Sequence, residues 1–236
     1  MKAAVCRAFD HPLIIEDIEI DPPQVGEVKV RVVACAICHS DVHQIRGDWS
    51  AKLPLVAGHE AAGVVMEVGP GVTSVKVGDH VVMSLLRSCG RCFYCSRGDT
   101  HLCEGTFALQ TETRLHTKAG EPIIQSIKTA GFAEYAVVEQ SQLVPIPKEI
   151  PLDSASLLAC GVITGLGAVI NTAKVGTGES VAVVGIGGVG LNSIQGAYLS
   201  GAQPIIALDM LENKLQAARD FGATHTINVA QERDPV

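Results

Sequence analysis

A glycine-rich segment directly after an apolar run is the feature that most restricts how this chain can fold. Residues 180–184 read Ser-Val-Ala-Val-Val, as expected of a buried parallel strand, and Gly185-Ile186-Gly187-Gly188-Val189-Gly190 follows at once. These glycines permit a tight turn and a close approach of the backbone to a pyrophosphate, beside the N–H groups that open the next helix. The pattern predicts a dinucleotide site; the alternative is that the glycines serve only a tight turn.

An acidic residue further along the chain supports the dinucleotide interpretation. Asp209 follows Gly190 by 19 residues and comes directly after the next apolar run, 205–208. Its carboxylate would accept hydrogen bonds from an adenosine ribose and repel a 2′-phosphate, which favours NAD over NADP. A third apolar run covers 225–229, and segments of helical composition, 191–199 and 214–221, separate the runs. This order predicts the first half of a doubly wound parallel sheet.

The first 150 residues have the character of β structure. Residues 28–32, Val-Lys-Val-Arg-Val, alternate apolar and charged side chains as a half-buried strand does. Short apolar runs at 63–69 and 79–83 are separated by turns with glycine and proline, which predicts a small distorted barrel. The composition changes at 151–153, where Asp153 is expected to cap a helix that continues through Cys160.

Half of the eight cysteines lie close together, in the pattern Cys-x2-Cys-x2-Cys-x7-Cys over residues 89–103. A short loop of this kind can place four thiolates in a tetrahedron around one zinc ion. Disulfides or buried apolar cysteines are the alternative. The spacing favours a structural zinc lobe, which fixes a loop without performing chemistry. Its predicted ligands are Cys89, Cys92, Cys95 and Cys103.

The charge balance and the lack of long apolar runs argue against several classes of protein. A net charge of −7 with scattered basic residues is not typical of nucleic-acid binding. Lys2, Arg7 and Asp10 leave no room for the apolar region of a secretion signal. The longest weakly polar stretch, 157–170, is too short to span a bilayer. We therefore expect no nucleic-acid or membrane partner and a cytoplasmic location.

Three further motifs gain meaning beside the cysteine lobe and the glycine loop, although a single cysteine or histidine usually serves core packing. They are Cys38-His39-Ser40-Asp41, Gly58-His59-Glu60 and Cys160. With these motifs in this order, the whole chain resembles the zinc-containing alcohol dehydrogenases of the medium-chain dehydrogenase/reductase family. The stretch 104–132 is similar to the longer, class-I/III-like members.

The resemblance implies an α/β plus β fold with two domains. Residues 1–152 would form a GroES-like distorted barrel catalytic domain with the structural zinc lobe at 89–103. Residues 153–236 would provide junction helices and the first half of a Rossmann, or doubly wound, NAD-binding domain. The family fold has six strands in that domain, so the nicotinamide half of the site is expected outside these 236 residues.

The resemblance also assigns a catalytic metal centre. Cys38, His59 and Cys160 would hold a catalytic zinc ion and leave its fourth position open to substrate. Asp41 would orient the ring of His59, and Glu60 would be an acid near the zinc or an alternate ligand. The family pattern therefore implies a second zinc ion in addition to the structural one.

Proton transfer and cofactor contacts are implied in the same way. Ser40 would take the proton of the alcohol and His43 would pass it to solvent. As alternatives, Ser40 would only cap a helix and His43 would only be exposed. Beyond the glycine loop and Asp209, the residues expected to contact the cofactor are His39, Thr164 and Lys214.

The expected function is zinc-dependent hydride transfer between a primary or secondary alcohol and NAD, which gives an aldehyde or ketone. The expected cofactors are two zinc ions and NAD, and the expected partner is a small alcohol or aldehyde. One alternative is a dehydrogenase of S-hydroxymethyl thiol adducts of formaldehyde. Another is a catalytically silent zinc-binding fragment. A homodimer is expected for a full-length member of the family and is doubtful for this chain.

Overall fold

Short strands dominate the first part of the chain, because valine and isoleucine alternate there with polar residues and glycine or proline follows several of the runs. The computed structural model describes residues 1–231, and its first unit is Met1–Cys160. The strands of this unit are β1 (Lys2–Cys6), β2 (Ile14–Ile20), β3 (Glu27–Ala36), β4 (Leu55–Val56), β5 (Glu60–Val68), β6 (His80–Met83), β7 (Leu115–Thr117), β8 (Pro122–Gln125), β9 (Tyr135–Glu139) and β10 (Leu143–Ile146).

These strands form a closed barrel and a five-stranded sheet. β1, β2, β7, β8 and β4 close the barrel, and the sheet has the order β10-β6-β5-β3-β9. β3 pairs antiparallel with β5, from Val28 opposite Val68 to Ala36 opposite Glu60, and the register shifts twice along the pair. Such shifts bend a sheet and increase its twist. The predicted small distorted barrel is confirmed.

The main core of this unit lies against β3 and β5. Val28, Val30 and Val65 are fully buried members of one apolar cluster. Burying a valine side chain contributes about 1.5–3 kcal/mol, so this cluster holds the two strands firmly together. Because Cys38 follows the end of β3 and His59 precedes β5, the core also fixes where these two side chains lie.

The helices of the first unit are short. They are α1 (His39–Arg46), α2 (Phe93–Ser96) and α3 (Leu152–Ser156), and a 3₁₀ turn, Leu157–Ala159, continues α3. The expectation that Asp153 caps α3 is wrong, because Pro151 occupies the cap and Asp153 lies in the first turn. An acid is favourable in the first turn as well as at the cap, since both positions face the positive end of the helix dipole.

The segment after Pro151 packs on the first unit. Ala155 and Ala159 form an apolar cluster with Ala62 of β5 and Val82 of β6. The compact unit therefore extends to Cys160. The sequence-based domain boundary at residues 152/153 stays a prediction.

Parallel strands alternating with helices make up the second unit, which begins at Gly161. Its elements are α4 (Gly161–Gly167), a π-helical segment (Ala168–Ala173), β11 (Val181–Val184), α5 (Gly188–Leu199), β12 (Ile205–Asp209), α6 (Glu212–Asp220) and β13 (His225–Asn228). β12 lies between β11 and β13 and pairs parallel with both. This arrangement confirms the expected first half of a doubly wound sheet.

The core of the second unit supports the glycine loop. Ile186 of the loop, Ile194 of α5, Ile205 of β12 and Leu215 of α6 are buried in one apolar cluster. The loop is therefore anchored by its own isoleucine between strand and helix. Among the described residues no single helix is long and apolar enough to cross a membrane; one bent pair, Leu152–Ala159 with Gly161–Ala173, passes on length and composition alone.

Candidate functional site

The four cysteines of residues 89–103 converge in the first unit, with all their sulfur atoms within 4.8 Å of one another. Backbone N–H groups point at two of the sulfurs. Cys92 Sγ accepts from the Cys95 N–H at 3.5 Å, and Cys103 Sγ accepts from the Cys89 and Gly105 N–H groups at 3.3 Å each. Such donors stabilise thiolates, which are the form of cysteine that binds zinc.

The charge states and the space around the lobe both fit a metal ion. The N–H groups of Cys95 and Glu104 lower the pKa of Cys92 to about 6, whereas burial raises the pKa of Cys95 to about 11. Four thiolates this close repel one another, so a cation is needed for all of them to ionise. A Cβ at Gly105 would lie 2.6 Å from Cys89 Cβ and 2.9 Å from its Sγ. The missing side chain keeps the cluster open for an ion.

A second group of side chains that could hold a metal ion comes from distant segments of the first unit. Cys38 precedes α1, His59 and Glu60 lie where β5 begins, and Cys160 ends the unit. One ligand atom from each of the four lies within 4.8 Å of the others. The structure thus brings together the residues expected around a catalytic zinc ion. Their role as ligands stays a prediction.

Asp41 organises this second group from a fully buried position. Its Oδ1 accepts hydrogen bonds from the Gly58 N–H at 2.9 Å and from His59 Nδ1 at 3.0 Å, and its Oδ2 accepts from the Cys38 N–H at 3.1 Å. Because Nδ1 donates to Asp41, only Nε2 of His59 is available to a metal. Nε2 is buried and has no hydrogen-bond partner within residues 1–231. A zinc ion would satisfy this atom.

The pKa of His59 reflects its neighbours. Burial lowers this pKa, but the opposite effect of Asp41 and Cys160 is larger and raises the pKa of His59 to about 10. A metal on Nε2 therefore has to displace a proton from the imidazolium. Burial also raises the pKa of the Cys35 thiol to about 12, and Cys35 packs against the main core. Cys35 is thus a protonated, apolar neighbour of Cys38.

Helix α1 carries the residues predicted to move the proton and to contact the cofactor. Ser40 is half-buried and His39 is exposed. The ring of His43 stacks on Trp49 with centroids 5.2 Å apart, and its Nδ1 lies 2.8 Å from Asp48 Oδ2. Sequence reasoning missed Asp48 and Trp49. An acid and an aromatic directly after the end of a helix that carries a candidate proton carrier are the signal that would have found them.

A buried hydroxyl also supports the metal-binding segment and was missed. Thr129 Oγ1 donates to the carbonyl oxygen of Gly58 at 2.6 Å, and the Gly131 N–H donates to the same oxygen at 2.7 Å. These bonds hold Gly58, the residue before His59, through its carbonyl group, while Asp41 holds the same residue through its N–H. No spacing rule in the sequence marks a single loop threonine for this role.

In the second unit, the glycine loop lies at the carboxyl end of β11. Gly185 has a φ of 87°, and Gly187 is the N-cap of α5. A Cβ at Gly190 would collide with the Gly185 carbonyl oxygen, so only glycine lets the helix approach the strand this closely. A Cβ at Gly187 or Gly188 would meet no atom within 4 Å beyond the adjacent backbone. This open space beside a helix N-terminus fits a pyrophosphate group.

Asp209 ends β12 and holds the backbone on both sides of it. Its Oδ2 accepts from the Ile186 N–H at 2.8 Å and its Oδ1 from the Leu211 N–H at 3.0 Å, and these bonds keep the pKa of Asp209 below its usual value. Lys214 Nζ lies 3.6 Å from Oδ2. Asp209 and Lys214 both line a cleft of about 320 Å³, which fits the adenosine side of a dinucleotide. Thr164 is exposed on α4 and is not among the residues that line this cleft.

Comparison with known proteins shows the family of this chain. Residues 24–148 match the alcohol dehydrogenase GroES-like domain, and residues 188–236 match the zinc-binding dehydrogenase family. The first match alone covers more than half of the chain. The chain therefore belongs to the GroES-like alcohol dehydrogenases, as its motifs predicted.

Curated relatives are similar along almost the whole chain. The alcohol dehydrogenase class-3 of Pisum sativum is 42% identical over 244 residues, which cover 100% of this chain and 64% of that protein. The S-(hydroxymethyl)glutathione dehydrogenase of Saccharomyces cerevisiae is 43% identical over 234 residues, 96% of this chain and 61% of that protein. The chain thus spans less than two thirds of the length of these two relatives.

Solved structures agree with this assignment. An alcohol dehydrogenase zinc-binding domain protein from Burkholderia ambifaria matches with a TM-score of 0.92 and 40% identity, over 98% of this chain and 65% of that one. Benzyl alcohol dehydrogenase from Acinetobacter calcoaceticus matches with a TM-score of 0.89 and 34% identity, over 98% and 64%. Together with the zinc-binding dehydrogenase match, these findings confirm the fold class and the expected cofactors, zinc and NAD.

Proposed function

We propose that this chain belongs to an NAD-dependent alcohol dehydrogenase that interconverts a primary or secondary alcohol with the aldehyde or ketone. The observation that carries the proposal is the convergence of Cys38, His59, Glu60 and Cys160, with a buried His59 nitrogen that has no hydrogen-bond partner among residues 1–231. A hydride from the alcohol needs an acceptor, and the glycine loop of the second unit provides a dinucleotide motif for one.

Zinc at this site would supply Lewis acidity to the substrate oxygen, and NAD would accept the hydride. Cys38, His59 and Cys160 would hold the ion, and Glu60 is close enough to replace a ligand. Asp41 fixes the tautomer and the ring orientation of His59 through its hydrogen bond to Nδ1. A second zinc ion would hold the lobe together, with the ligands Cys89, Cys92, Cys95 and Cys103.

Helix α1 provides groups for proton release. We assign Ser40 to accept the proton of the alcohol and His43 to carry it towards solvent. Asp48 and Trp49 support this role, because the hydrogen bond to Asp48 and the stacking on Trp49 hold the His43 ring in one orientation. A fixed ring exposes the same nitrogen to each incoming proton.

The cofactor would be held mainly by the second unit. Gly185, Gly187, Gly188 and Gly190 would surround the pyrophosphate, and Asp209 would face the adenosine ribose. Lys214 would contact the same end of the dinucleotide, since it lines the same cleft as Asp209. For His39, an exposed imidazole on α1, and for Thr164, exposed on α4, the support is the family resemblance.

The test is alcohol-dependent reduction of NAD by the full-length protein, with zinc measured in the same sample. The proposal expects two zinc ions per chain and turnover with simple alcohols. The Cys38→Ser variant should keep the lobe zinc and lose turnover. Zinc at the lobe alone in the wild-type protein, with no turnover, would instead support a catalytically silent zinc-binding protein.

A second candidate function is oxidation of S-hydroxymethyl thiol adducts of formaldehyde. Relatives from Saccharomyces cerevisiae and Photobacterium damsela subsp. piscicida are named S-(hydroxymethyl)glutathione dehydrogenases, at 43% and 42% identity. The metal site would be the same, and only the substrate would differ. Turnover of formaldehyde that depends on added glutathione would favour this candidate, whereas turnover of simple alcohols alone would favour the first.

Other expectations belong to the same proposal. A homodimer of the full-length protein, a cytoplasmic location and a domain boundary at residues 152/153 are supported by the family resemblance. Sedimentation of the full-length protein tests the first, and fractionation of cells tests the second. Limited proteolysis between Pro151 and Gly161 tests the third.

A further inference from the structure

A cavity of about 370 Å³ in the first unit has a positively charged lining. Lys52, Arg87 and Lys128 all line it, and none of the described residues that line it has a carboxylate. The chain as a whole has a net charge of −7, so three cations around one cavity run against its overall charge. None of the three has a role in the proposed hydride transfer.

Arg87 is the buried member of this set, with 5% of its surface exposed. Its Nε donates to Gln142 Oε1 at 2.8 Å and its Nη2 to the Lys128 carbonyl oxygen at 3.2 Å. Its Nη1 is buried and has no hydrogen-bond partner among the residues that the structure describes. An arginine is seldom buried without an anionic partner, because desolvation of its charge is costly. One end of this guanidinium therefore still lacks an acceptor.

The surroundings of Arg87 hold it in place without neutralising it. No carboxylate of residues 1–231 forms an ion pair with Arg87. Burial lowers the pKa of Arg87, and the attraction of Glu139 and Glu27, which raises this pKa, is weaker than the effect of burial. The ring of Phe107 lies 6.0 Å from its Cζ, at the limit of a cation–π contact. A guanidinium fixed in this way is preorganised for a planar oxyanion.

The rest of the cavity lining adds exposed charges and polar groups. Lys52 and Lys128 are exposed, and neither forms an ion pair within the described part of the chain. Ser126 is buried and donates through Oγ to Gln44 Oε1 at 2.9 Å, which orients that amide in the wall. The cavity lining therefore combines one buried cation, Arg87, with two exposed cations, Lys52 and Lys128.

We propose that this cavity binds the oxyanion of a small ligand, a carboxylate or a phosphate. Arg87 would donate to the oxyanion from the cavity lining, and Lys52 and Lys128 would supply two further cations. Carboxylate and phosphate share the geometry that a guanidinium recognises. The ligand is either free inorganic phosphate or an organic acid, and these two sources are separable by titration.

The experiment is calorimetric titration of the zinc-loaded, full-length protein with inorganic phosphate and, separately, with succinate. Saturating NADH is present throughout, so that the glycine loop is occupied and does not contribute. Binding of phosphate alone identifies an inorganic anion, and binding of succinate identifies an organic acid. If neither anion binds, the proposal is wrong.

Variants locate the binding. Arg87→Gln should weaken it roughly tenfold or more, because a hydrogen bond from a charged donor is lost. Arg87 is buried and its variant risks misfolding, so the exposed pair Lys52→Gln/Lys128→Gln is tested as well, with an expected loss of roughly threefold to tenfold. Lys118→Gln is the matched control, an exposed lysine outside the cavity whose loss should change nothing. Equal affinity in the double variant and in the control would overturn the proposal.

Discussion

The two candidate metal-binding groups of the first unit are built in opposite ways. The lobe takes all its candidate ligands from residues 89–103, and the N–H groups of Cys89, Cys95 and Gly105, within or just after this segment, stabilise its sulfurs. The other group takes Cys38, His59 and Cys160 from segments up to 122 residues apart (160 − 38), and Asp41 holds its histidine. The lobe can therefore form around its ion locally, whereas the second group exists only after the sheet has folded.

The largest effects should come from removing one ligand from each group. Cys92→Ser removes one ligand from the lobe. Because metal binding to such a site is coupled to folding, the free energy of unfolding should fall by several kcal/mol. Cys38→Ser should leave stability nearly unchanged and lower alcohol-dependent NADH formation by roughly 10³-fold or more. Thermal unfolding and turnover, measured on both variants of the full-length protein, check the contrast.

Zinc content provides the control for this pair. Each variant should lose one of two zinc ions and keep the other, because the two groups share no ligand. If Cys38→Ser destabilised the protein as much as Cys92→Ser, the distinction between a structural and a catalytic site would fail.

The next effect concerns the support of His59. Asp41→Asn keeps the size of the side chain but removes the negative charge that accepts three hydrogen bonds. Loss of such a support typically costs 10- to 100-fold in metal affinity. Competition with a chromogenic chelator should show the Cys38–His59–Cys160 zinc leaving first, with the lobe zinc unaffected. Asp48→Asn, next to His43, is the matched control and should alter turnover without altering zinc affinity.

The same contrast explains which parts of the protein could be read from the sequence. The lobe and the glycine loop are encoded in consecutive residues, so spacing alone predicted both, and alternation predicted the strands around Val28–Val32. The group around His59 was found only through resemblance, because nothing local links residue 38 with residue 160. Thr129 was missed for the same reason, because its partner, the Gly58 carbonyl oxygen, is 71 residues away in the sequence. Asp48 is different: it lies five residues from His43, and its local signal was overlooked. The cap of α3 was misplaced because Asp153 suits the cap and the first turn equally.

A smaller effect tests how tightly the lobe is built. A Cβ on Gly105 would lie 2.6 Å from Cys89 Cβ, so Gly105→Ala must displace a ligand. Overpacking of this kind costs about 1–3 kcal/mol. Gly167→Ala is the control, since a Cβ there meets nothing closer than 3.8 Å and alanine favours a helix. Competition with a chelator should show faster zinc loss from the lobe in Gly105→Ala and not in Gly167→Ala. An unchanged rate of zinc loss in Gly105→Ala would mean that the segment accommodates the methyl group without losing stability.

The smallest expected effect comes from Thr129, which supports the segment before His59 although it lies far from that segment in the sequence. Thr129→Val removes the buried hydroxyl that donates to the Gly58 carbonyl oxygen and leaves the Gly131 N–H as its remaining donor. One such hydrogen bond contributes about 0.5–1.5 kcal/mol, so unfolding should show a loss of that size. Because Gly58 precedes His59, the zinc held by Cys38, His59 and Cys160 should also dissociate a few times faster, while the lobe zinc should not respond. Thr111→Val removes an exposed hydroxyl with a 3.4 Å bond to the Ala108 carbonyl oxygen and should change neither rate. Equal acceleration at both zinc sites would show that Thr129 acts on the stability of the whole unit, and the independence of the two groups would have to be abandoned.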